Sequence, residues 1–370
     1  MEISEISYLL LRVFMFLAGA FVILYTVLSG IRIFVLPRPA QVLIFRLVFQ
    51  GFRRLFDLRA RRADSYASRD SVMALYAPIA LFFIPVVLML LVMLGFMAIY
   101  WALSPLSLIE SFKLSGSSLL TLGSFTNDAP VLMIFEFAEA LLGMILVALL
   151  IAYLPTIYNA FTRRETQVQL LEVRAGTPPM PWELIVRSYR NGELTQLREF
   201  WADWQVWFAE IEESHTSLAA LAFFRSPRPE LSWVTAAGVV LDSAALMLST
   251  VDIRREPRAA FCIRSGYLAL RQIALFFEVP TSDAPMSSDP ITITRDEYDE
   301  ACRYLESQGV PLLPNRDQTW RDYAGWRVNY DKEVISLAAL TMAPYAPWTS
   351  DRSLAPNFRR HAAGEDGKWD

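Results

Sequence analysis

Cysteine and histidine are scarce in this chain of 370 residues. The two cysteines, Cys262 and Cys302, are too few for a disulfide framework and lack the paired spacing of a zinc site. The two histidines, His215 and His361, support neither a metal cluster nor a Ser-His-Asp arrangement, and we expect His215 to cap or pack. We therefore expect no metal, no other cofactor and no enzymatic activity.

Glycine-rich phosphate loops and a strongly basic surface are also missing. The sequence after residue 160 contains no GxGxxG run, which excludes a dinucleotide-binding domain of that kind. The 38 Asp and Glu residues outnumber the 34 Lys and Arg residues, so we expect no nucleic-acid partner.

Three long apolar runs are present instead. They lie in residues 8–36, in the interval between Asp70 and Glu110 that holds no charged side chain, and in residues 129–158. Each is long enough to cross a hydrocarbon core of about 30 Å, which takes roughly 20 helical residues. Buried helices of a large soluble core are the alternative, but runs of this length are rare there.

The distribution of arginine predicts the orientation. The loop between the first two runs and the segment after the third are rich in Arg, whereas residues 105–128 carry few charges. Because Lys- and Arg-rich short loops stay in the cytoplasm, we expect the N-terminus outside and the C-terminal part inside. The acidic start of the chain, without a small-residue cleavage site, predicts an uncleaved anchor rather than a signal peptide.

Residues 42–58 within the Arg-rich loop alternate apolar and basic side chains at helical spacing. This pattern predicts an interfacial helix on the inner leaflet, with a lipid sensor as the alternative. Anionic headgroups would contact the loop at Arg53, Arg54, Arg61 and Arg62.

The segment 106–122, LSLIESFKLSGSSLLTL, is too short and polar to span the membrane and too apolar for an exposed turn. Such a segment can dip in and return where protein or a watery cavity satisfies its backbone. We expect Asp128 to cap the third helix, with Pro130 in its first turn. A short outer connecting helix in a three-helix anchor is the alternative.

This order of spanning helix, short helix, Thr-aliphatic-Gly and spanning helix resembles the bacterial two-pore-domain-like potassium channel family over residues 71–165. The resemblance assigns an ion filter to Thr121-Leu122-Gly123-Ser124-Phe125, with Gly143 as the gating hinge of the inner helix and IYNAFTRRE as its basic end. It implies a homotetramer, because one loop cannot surround an ion, and a monovalent cation, K⁺ first, as the permeating species.

The filter departs from the Thr-Val-Gly-Tyr-Gly pattern of potassium channels. Ser124 stands in place of the aromatic residue and Phe125 in place of the second glycine, whose backbone angles are costly for a bulky side chain. Thr121 and Gly123 still offer an inner ion site. A potassium-selective pore, a nonselective cation pore and a barely conducting one all fit these residues.

Two carboxylates, Glu136 and Glu139, lie in the first half of the third helix at i, i+3 spacing. Acids at this depth are expensive and usually face an interior or a watery path. They either brace the pore loop by hydrogen bonds to Ser117, Ser118 or Thr121, or attract cations. Bracing is the interpretation we favour.

The C-terminal part predicts a helical domain. Helices are expected at 193–215, 234–251, 258–277, 294–308 and 320–340, with a linker at 281–293 and a partly disordered end at 342–370. The stripe Trp201, Trp204 and Trp207 predicts the core of a helix bundle, with a ligand cage as the alternative.

The sequence thus predicts an all-α polytopic membrane protein of the bacterial plasma membrane. Its predicted parts are a first transmembrane helix in 1–36, an Arg-rich cytoplasmic loop in 37–70, a pore module in 71–160 with a re-entrant pore helix in 105–128, and a helical cytoplasmic domain in 161–370. The expected function is a potassium-channel-like cation channel. A membrane-anchored regulatory or scaffold protein with a vestigial pore plan is the alternative.

Overall fold

A computed structural model describes residues 3–36, 42–63, 65–194, 196–254, 256–282 and 284–352. The chain is 75% helix and its described residues form no β-strand, which confirms the all-α class. The helices are α1 (Ile3–Phe34), α2 (Leu43–Ala60), α3 (Tyr66–Ala74), α4 (Tyr76–Leu103), α5 (Leu108–Leu119), α6 (Pro130–Ala175), α7 (Pro181–Arg190), α8 (Arg198–Ser217), α9 (Trp233–Ser249), α10 (Pro257–Phe276), α11 (Arg295–Ser307), α12 (Arg316–Arg327) and α13 (Asp331–Thr341), with 3-10 turns at Ala219–Phe223 and Ser350–Arg352.

Three helical segments are long and apolar enough to cross a membrane, namely Glu5–Phe34, Tyr66–Leu103 and Pro130–Ala175. They coincide with the three predicted spans. The third is longer than predicted, because α6 continues past residue 158 without a break to Ala175. Its polar extension is rich in good helix formers, and it buries Val168 and Leu171, so helix propensity and packing both carry it on.

The helices form two compact units. The first comprises Met1–Phe56 and Leu75–Tyr158, and the second comprises Asp57–Ala74 and Asn159–Asp370. The second unit therefore includes α3, although the sequence predicts a boundary inside it, between the Arg-rich loop that ends at 70 and the pore module that begins at 71.

Two glycines set the packing of α1 on α4 in the first unit. A Cβ placed on Gly19 would lie 2.5 Å from the carbonyl oxygen of Gly95, and a Cβ on Gly95 would lie 2.6 Å from Ile23 Cγ1. Without side chains, the two backbones approach to contact, as is usual for helices in membranes.

The direction of the three long helices alternates. Arg12 near the start of α1 donates from Nη2 to the Ser104 carbonyl at the end of α4, over 2.6 Å. The ring of Phe34 at the end of α1 packs edge-on against Tyr153 of α6, at 5.1 Å between centroids. Hence α1 runs antiparallel to α4 and parallel to α6, as three successive spans require.

The amphipathic segment 42–58 forms α2, so its helical character is confirmed. Its aromatic residues pack on α4: Phe49 lies edge-on to Tyr76 at 5.7 Å, and Phe52 lies 5.0 Å from Phe83. The hydroxyl of Tyr76 donates to the Phe49 carbonyl over 3.1 Å.

The second unit is a helix bundle around α9. All residues of α9 except Leu248 are buried, as predicted for an apolar helix too short to be a fourth span. Trp201, Trp204 and Trp207 are at most 1% exposed, so they form part of this core. A cage open to a ligand is not what these three rings build.

Several predicted boundaries in the second unit were wrong. The helix expected at 320–340 is two helices, α12 and α13, separated by the turn at Val328–Tyr330. Helix α7 was missed. The expected disordered end is packed as far as the structure describes it, with Trp348 3% exposed, and residues 353–370 lie outside the described residues, as does His361.

Candidate functional site

Helix α5 lies deep between α4 and α6 in the first unit. The hydroxyl oxygen of Ser115 lies 2.9 Å from the Met93 carbonyl oxygen, about 15 Å from the end of α4 at about 1.5 Å per residue. Farther along α5, the Leu119 carbonyl oxygen would lie 2.4 Å from a Cβ on Gly143, about 20 Å from the start of α6. The helix therefore descends from the end of α4 towards the middle of the bundle.

The start of α5 is fixed by a capping box. The Ser107 hydroxyl accepts from the Glu110 amide over 3.3 Å, and the Glu110 carboxylate accepts from the Ser107 amide over 2.8 Å. This reciprocal pair gives acceptors to two backbone amides that a helix N-terminus otherwise leaves unbonded. It fixes the residue at which α5 begins.

The residues predicted to form the filter, Thr121–Phe125, follow α5 as a tight turn. Thr121 and Gly123 both have positive φ, at 54° and 62°. The Leu122 amide donates to the Ser117 carbonyl over 2.8 Å, and the Phe125 amide donates to the Ser117 hydroxyl over 3.0 Å. Ser117, predicted as a pore-supporting residue, thus holds both ends of the turn.

The carbonyl oxygens of this turn differ from its amides in their hydrogen bonding. Within the described residues, none of the carbonyl oxygens of residues 121–125 accepts a hydrogen bond from the chain, whereas the amides of Thr121, Leu122 and Phe125 are bonded. Residues 121–124 are exposed, Leu122 to 65%. The turn therefore presents free acceptors on its outer side.

Glu139 ties α6 to both neighbours and is itself 0% exposed. Its Oε1 accepts from the Ser115 hydroxyl over 2.5 Å, and its Oε2 accepts from the Tyr100 hydroxyl over 2.8 Å. The carboxyl group of Glu139 thus links α6 to α5 and α4 by hydrogen bonds in the interior of the first unit. The predicted bracing partners Ser117, Ser118 and Thr121 were wrong for this residue, because Ser115 is the serine that faces α6.

Glu136 holds the segment that leads into α6. Its Oε1 accepts from the Asn127 amide over 3.2 Å, and Asn127 Oδ1 accepts from the Ala129 amide over 2.9 Å. The side-chain hydrogen bond at the start of α6 thus comes from Asn127, whereas Asp128, the predicted cap, is exposed. Asn and Asp both favour such local bonds, so the sequence alone does not separate them.

Gly143, the predicted hinge, lies inside the continuous helix α6. Its lack of a side chain is required by the carbonyl of Leu119. A packing role therefore accounts for this glycine, and its hinge role stays a prediction.

Sequence reasoning missed Tyr100, Ser115 and Asn127. Tyr100 is the only tyrosine in the second half of α4, and Ser115 is the first of four consecutive small residues in α5. The sequence did indicate that such donors exist, because a buried carboxyl group such as that of Glu139 needs hydroxyl or amide donors from neighbouring residues. Which donor reaches it depends on the register between helices.

The second unit holds α3 by an ion pair. Arg225 Nη1 lies 3.1 Å from Asp70 Oδ1 and donates to the Met342 carbonyl over 2.8 Å. The Tyr66 hydroxyl donates to the same carbonyl over 3.1 Å. Because α3 is joined to α4 only through Leu75, this cluster fixes the chain directly before the second apolar segment.

Arg164 fixes the polar end of α6 within the same unit. The buried guanidinium donates to the carbonyls of Leu221 and Phe224, each over 2.8 Å, and forms an ion pair with Glu165 at 2.8 Å. Arg164, expected from the resemblance to be part of a basic inner end, is 2% exposed.

His215 packs beside Arg164, as expected of a residue that caps or packs. Its Nε2 lies 3.3 Å from Arg164 Nη1, and its ring lies 4.5 Å from that of Trp233. Burial, and then the charge of Arg164, lower the pKa of His215. A guanidinium can only donate, so Nε2 accepts and the neutral ring carries its proton on Nδ1.

A second buried network links α9, α12 and α13. Arg327 Nη1 pairs with Asp242, its Nε lies 2.8 Å from Asp331 Oδ1, and its Nη2 donates to the Trp348 carbonyl over 2.6 Å. Burial lowers the pKa of Arg327, but the charges around it, those of Asp242 and Asp331 first, together hold it well above its usual value. The network is saturated by its own members and offers no open position for a ligand.

No group of three His, Cys, Asp or Glu side chains able to hold a metal ion occurs among the described residues. Cys262 and Cys302 are both buried free thiols, and burial raises the pKa of each. The chain matches no protein-family model, no curated protein and no solved structure.

Proposed function

We propose that four copies of this chain enclose a cation path, with the turn Thr121–Phe125 lining its narrowest part. The observation that carries the proposal is the hydrogen bonding of that turn. Three of its amides donate to Ser117 and Ser118, whereas its carbonyl oxygens accept no hydrogen bond from the described residues. Rings of backbone carbonyls replace the water of a permeating ion in selective cation channels. A single turn supplies too few oxygens, so the path needs symmetry mates.

The electrostatics of α5 support a cation at this place. The helix ends at Leu119, directly before the turn, and its C-terminal end carries a partial negative charge. Helix α5 is proposed as the re-entrant pore helix, because its contacts with Met93 and Gly143 lie about 15–20 Å along the neighbouring helices. Glu139 braces this arrangement from behind.

Ser124 and Phe125 bear on which ion passes. Phe125 is half-buried and its amide donates to Ser117, so a bulky side chain with a bonded backbone stands where a filter with two glycines has its second glycine. We therefore propose a cation path with K⁺ as the first ion to test, with a nonselective path retained as the other outcome.

The membrane placement follows the arginine distribution. We propose the plasma membrane of a bacterium, with the N-terminus outside and the second unit in the cytoplasm. The four arginines predicted to meet anionic lipid would then lie on the inner leaflet; they are Arg53, Arg54, Arg61 and Arg62.

A flux assay on the full chain in liposomes tests the proposal. Gly123→Asp should abolish K⁺ flux, because the new side chain enters the turn where no atom lies within 4 Å of the glycine. Asp tolerates positive φ better than most residues, so folding is expected to survive. Gly192→Asp is the matched control, since Gly192 has φ +72 and the same open surroundings outside the pore module. Flux unaffected by Gly123→Asp refutes the role of the turn.

The second candidate is a membrane-anchored regulatory or scaffold protein. The bulky Phe125 at a filter position is the observation that favours it. Native mass spectrometry of the protein in nanodiscs separates the two, since the channel requires a tetramer and the scaffold predicts a monomer or dimer without flux.

A further inference from the structure

A groove in the second unit lies where the start of α8, the end of α9 and the start of α10 meet. Its volume is about 1120 Å³. Its charged lining residues are Arg198, Arg254, Arg258 and Glu256. Three arginines against one glutamate leave a formal charge of +2, although residues 160–370 carry 29 Asp and Glu against 23 Lys and Arg. The groove is therefore a local cationic site on an acidic domain.

The side chains of these three arginines are not used in ion pairs that stabilise the described part of the fold. Arg198 and Arg254 are exposed and Arg258 is half-buried, and none forms an ion pair with another described residue. The buried arginines of this unit behave differently: Arg164 and Arg327 each have a carboxylate partner and carbonyl acceptors. Arginines left free around one groove retain their guanidinium donors for a ligand.

The wall of the groove contains a buried donor without a partner. Trp201 lines the groove, is 0% exposed, and its indole Nε1 makes no hydrogen bond. Two other buried indoles of this core do have acceptors, because Trp207 Nε1 donates to the Arg164 carbonyl and Trp233 Nε1 donates to the Ala222 carbonyl. A buried N–H without an acceptor costs about 1–3 kcal/mol, which a ligand oxygen would offset.

Two long helices begin at this groove. Helix α10 starts at Pro257 with Glu256 as its cap, whereas Leu197, the N-cap residue of α8, makes no side-chain cap hydrogen bond. The amides of the first turn of α8 therefore add donors and a partial positive charge beside the arginines. The exposed ring of Phe261 lies at the same groove and suits an apolar substituent.

We infer that this groove binds the phosphate group of a phosphate monoester, with Arg198, Arg254 and Arg258 pairing with its oxygens and Trp201 Nε1 donating to one of them. A phosphate dianion matches the +2 charge of the lining, and the fork of a guanidinium fits two phosphate oxygens. The same chemistry is offered by a free monoester and by the headgroup of phosphatidic acid.

Calorimetric titration of the full chain in detergent tests the inference, with phenyl phosphate as the probe and phenol as its uncharged counterpart. Phenyl phosphate should bind and phenol should not. Arg254→Gln and Arg258→Gln should each weaken binding at least tenfold, while Arg303→Gln, on the exposed face of α11, should leave it unchanged. Trp201→Phe keeps an aromatic ring and should weaken binding several-fold.

A parallel arm uses nanodiscs with and without phosphatidic acid. Arginine-dependent binding of those nanodiscs, without binding of phenyl phosphate, identifies the lipid headgroup as the source. Binding of phenyl phosphate identifies a free ligand. Absence of both, or equal binding by the wild-type chain and the arginine variants, overturns the inference. Neither readout depends on ion flux, so the result is independent of the proposed channel function.

Discussion

The side chains of Asp70 and Arg225 meet at 3.1 Å, 155 positions apart in the chain, with 10% and 13% of their surfaces exposed. Asp70 belongs to α3, which precedes the second apolar segment, and Arg225 follows the 3-10 turn at Ala219–Phe223. The second unit also contains the polar end of α6, held by Arg164. Two of the three chain segments that connect the first unit to the second are therefore held within the bundle of the second unit.

Breaking this pair should destabilise the second unit. Arg225→Met leaves the Asp70 carboxylate buried without its partner, and a loss of about 2–4 kcal/mol is expected. The double variant Asp70→Asn with Arg225→Met should lose less than the sum of the single changes. Glu193→Gln, in the exposed pair with Arg174, is the control, with an expected effect within about 0.5 kcal/mol. Thermal melting of the full chain measures all four. Strict additivity would contradict the coupling.

Gly143→Ala should separate α5 from α6. The added Cβ would meet the Leu119 carbonyl oxygen at 2.4 Å, and a backbone atom cannot yield as a side chain does. Lower melting temperature and loss of flux are expected. Gly116→Ala is the matched change, because its nearest atom, Met93 Sδ, lies 3.9 Å away. It should be neutral or slightly stabilising, since Ala is the better helix former.

Glu139→Ala should be costly, because the hydroxyls of Ser115 and Tyr100 lose their acceptor inside the bundle. A loss of about 1–3 kcal/mol is expected. Glu139→Gln keeps one acceptor oxygen and should lose less. Phe137→Ala, with its ring 68% exposed, serves as the control for α6. Thermal melting in nanodiscs measures the order, and a Gln variant as unstable as the Ala variant would argue against a bracing role.

The stability of the second unit should depend on pH through His215. Its pKa is lowered by burial and by Arg164, so the unfolded chain binds a proton that the native chain does not. Stability is then complete above about pH 6.5 and falls as the pH decreases below it, by up to about 1.4 kcal/mol per pH unit. His215→Gln should reduce this slope between pH 6.5 and 5. Melting curves across this range test it, whatever the variant's stability at neutral pH, and an unchanged slope would assign the effect elsewhere.

Local signals in the sequence predicted the helices best. Thr294 and Glu297 form a T-x-x-E capping box that can be read from the sequence at the start of the helix predicted at 294–308, and both of its hydrogen bonds are present in α11. Ser107 and Glu110 form the equivalent S-x-x-E pattern at the start of α5. The length of the apolar runs alone predicted the positions of the three long helices, because about 20 consecutive apolar residues is the length that a membrane-spanning helix needs.

The sequence did not predict how neighbouring helices are rotated and shifted against one another. Glu139 was expected to bond with Ser117, Ser118 or Thr121, yet its partners are Ser115 and Tyr100. Four consecutive small residues in α5 point in different directions, and only the rotation of α5 against α6 selects one of them. The split of 320–340 into α12 and α13 likewise accompanies the buried network around Arg327, in which Asp242 lies 85 positions and Trp348 lies 21 positions away in the chain.

The flexibility of α6 follows from its one interior proline, Pro155. Over 46 residues the helix is on the order of 70 Å long, and Pro155 leaves the Ile151 carbonyl without its amide donor. Gly143 is wedged against Leu119, so compliance is expected near Pro155 instead. Distances between spin labels on either side of Pro155 should narrow in distribution in Pro155→Ala. A bend concentrated near Pro155 would fall close to the C-terminal limit of the first unit at Tyr158, whereas the stretch of α6 around Gly143 would stay straight.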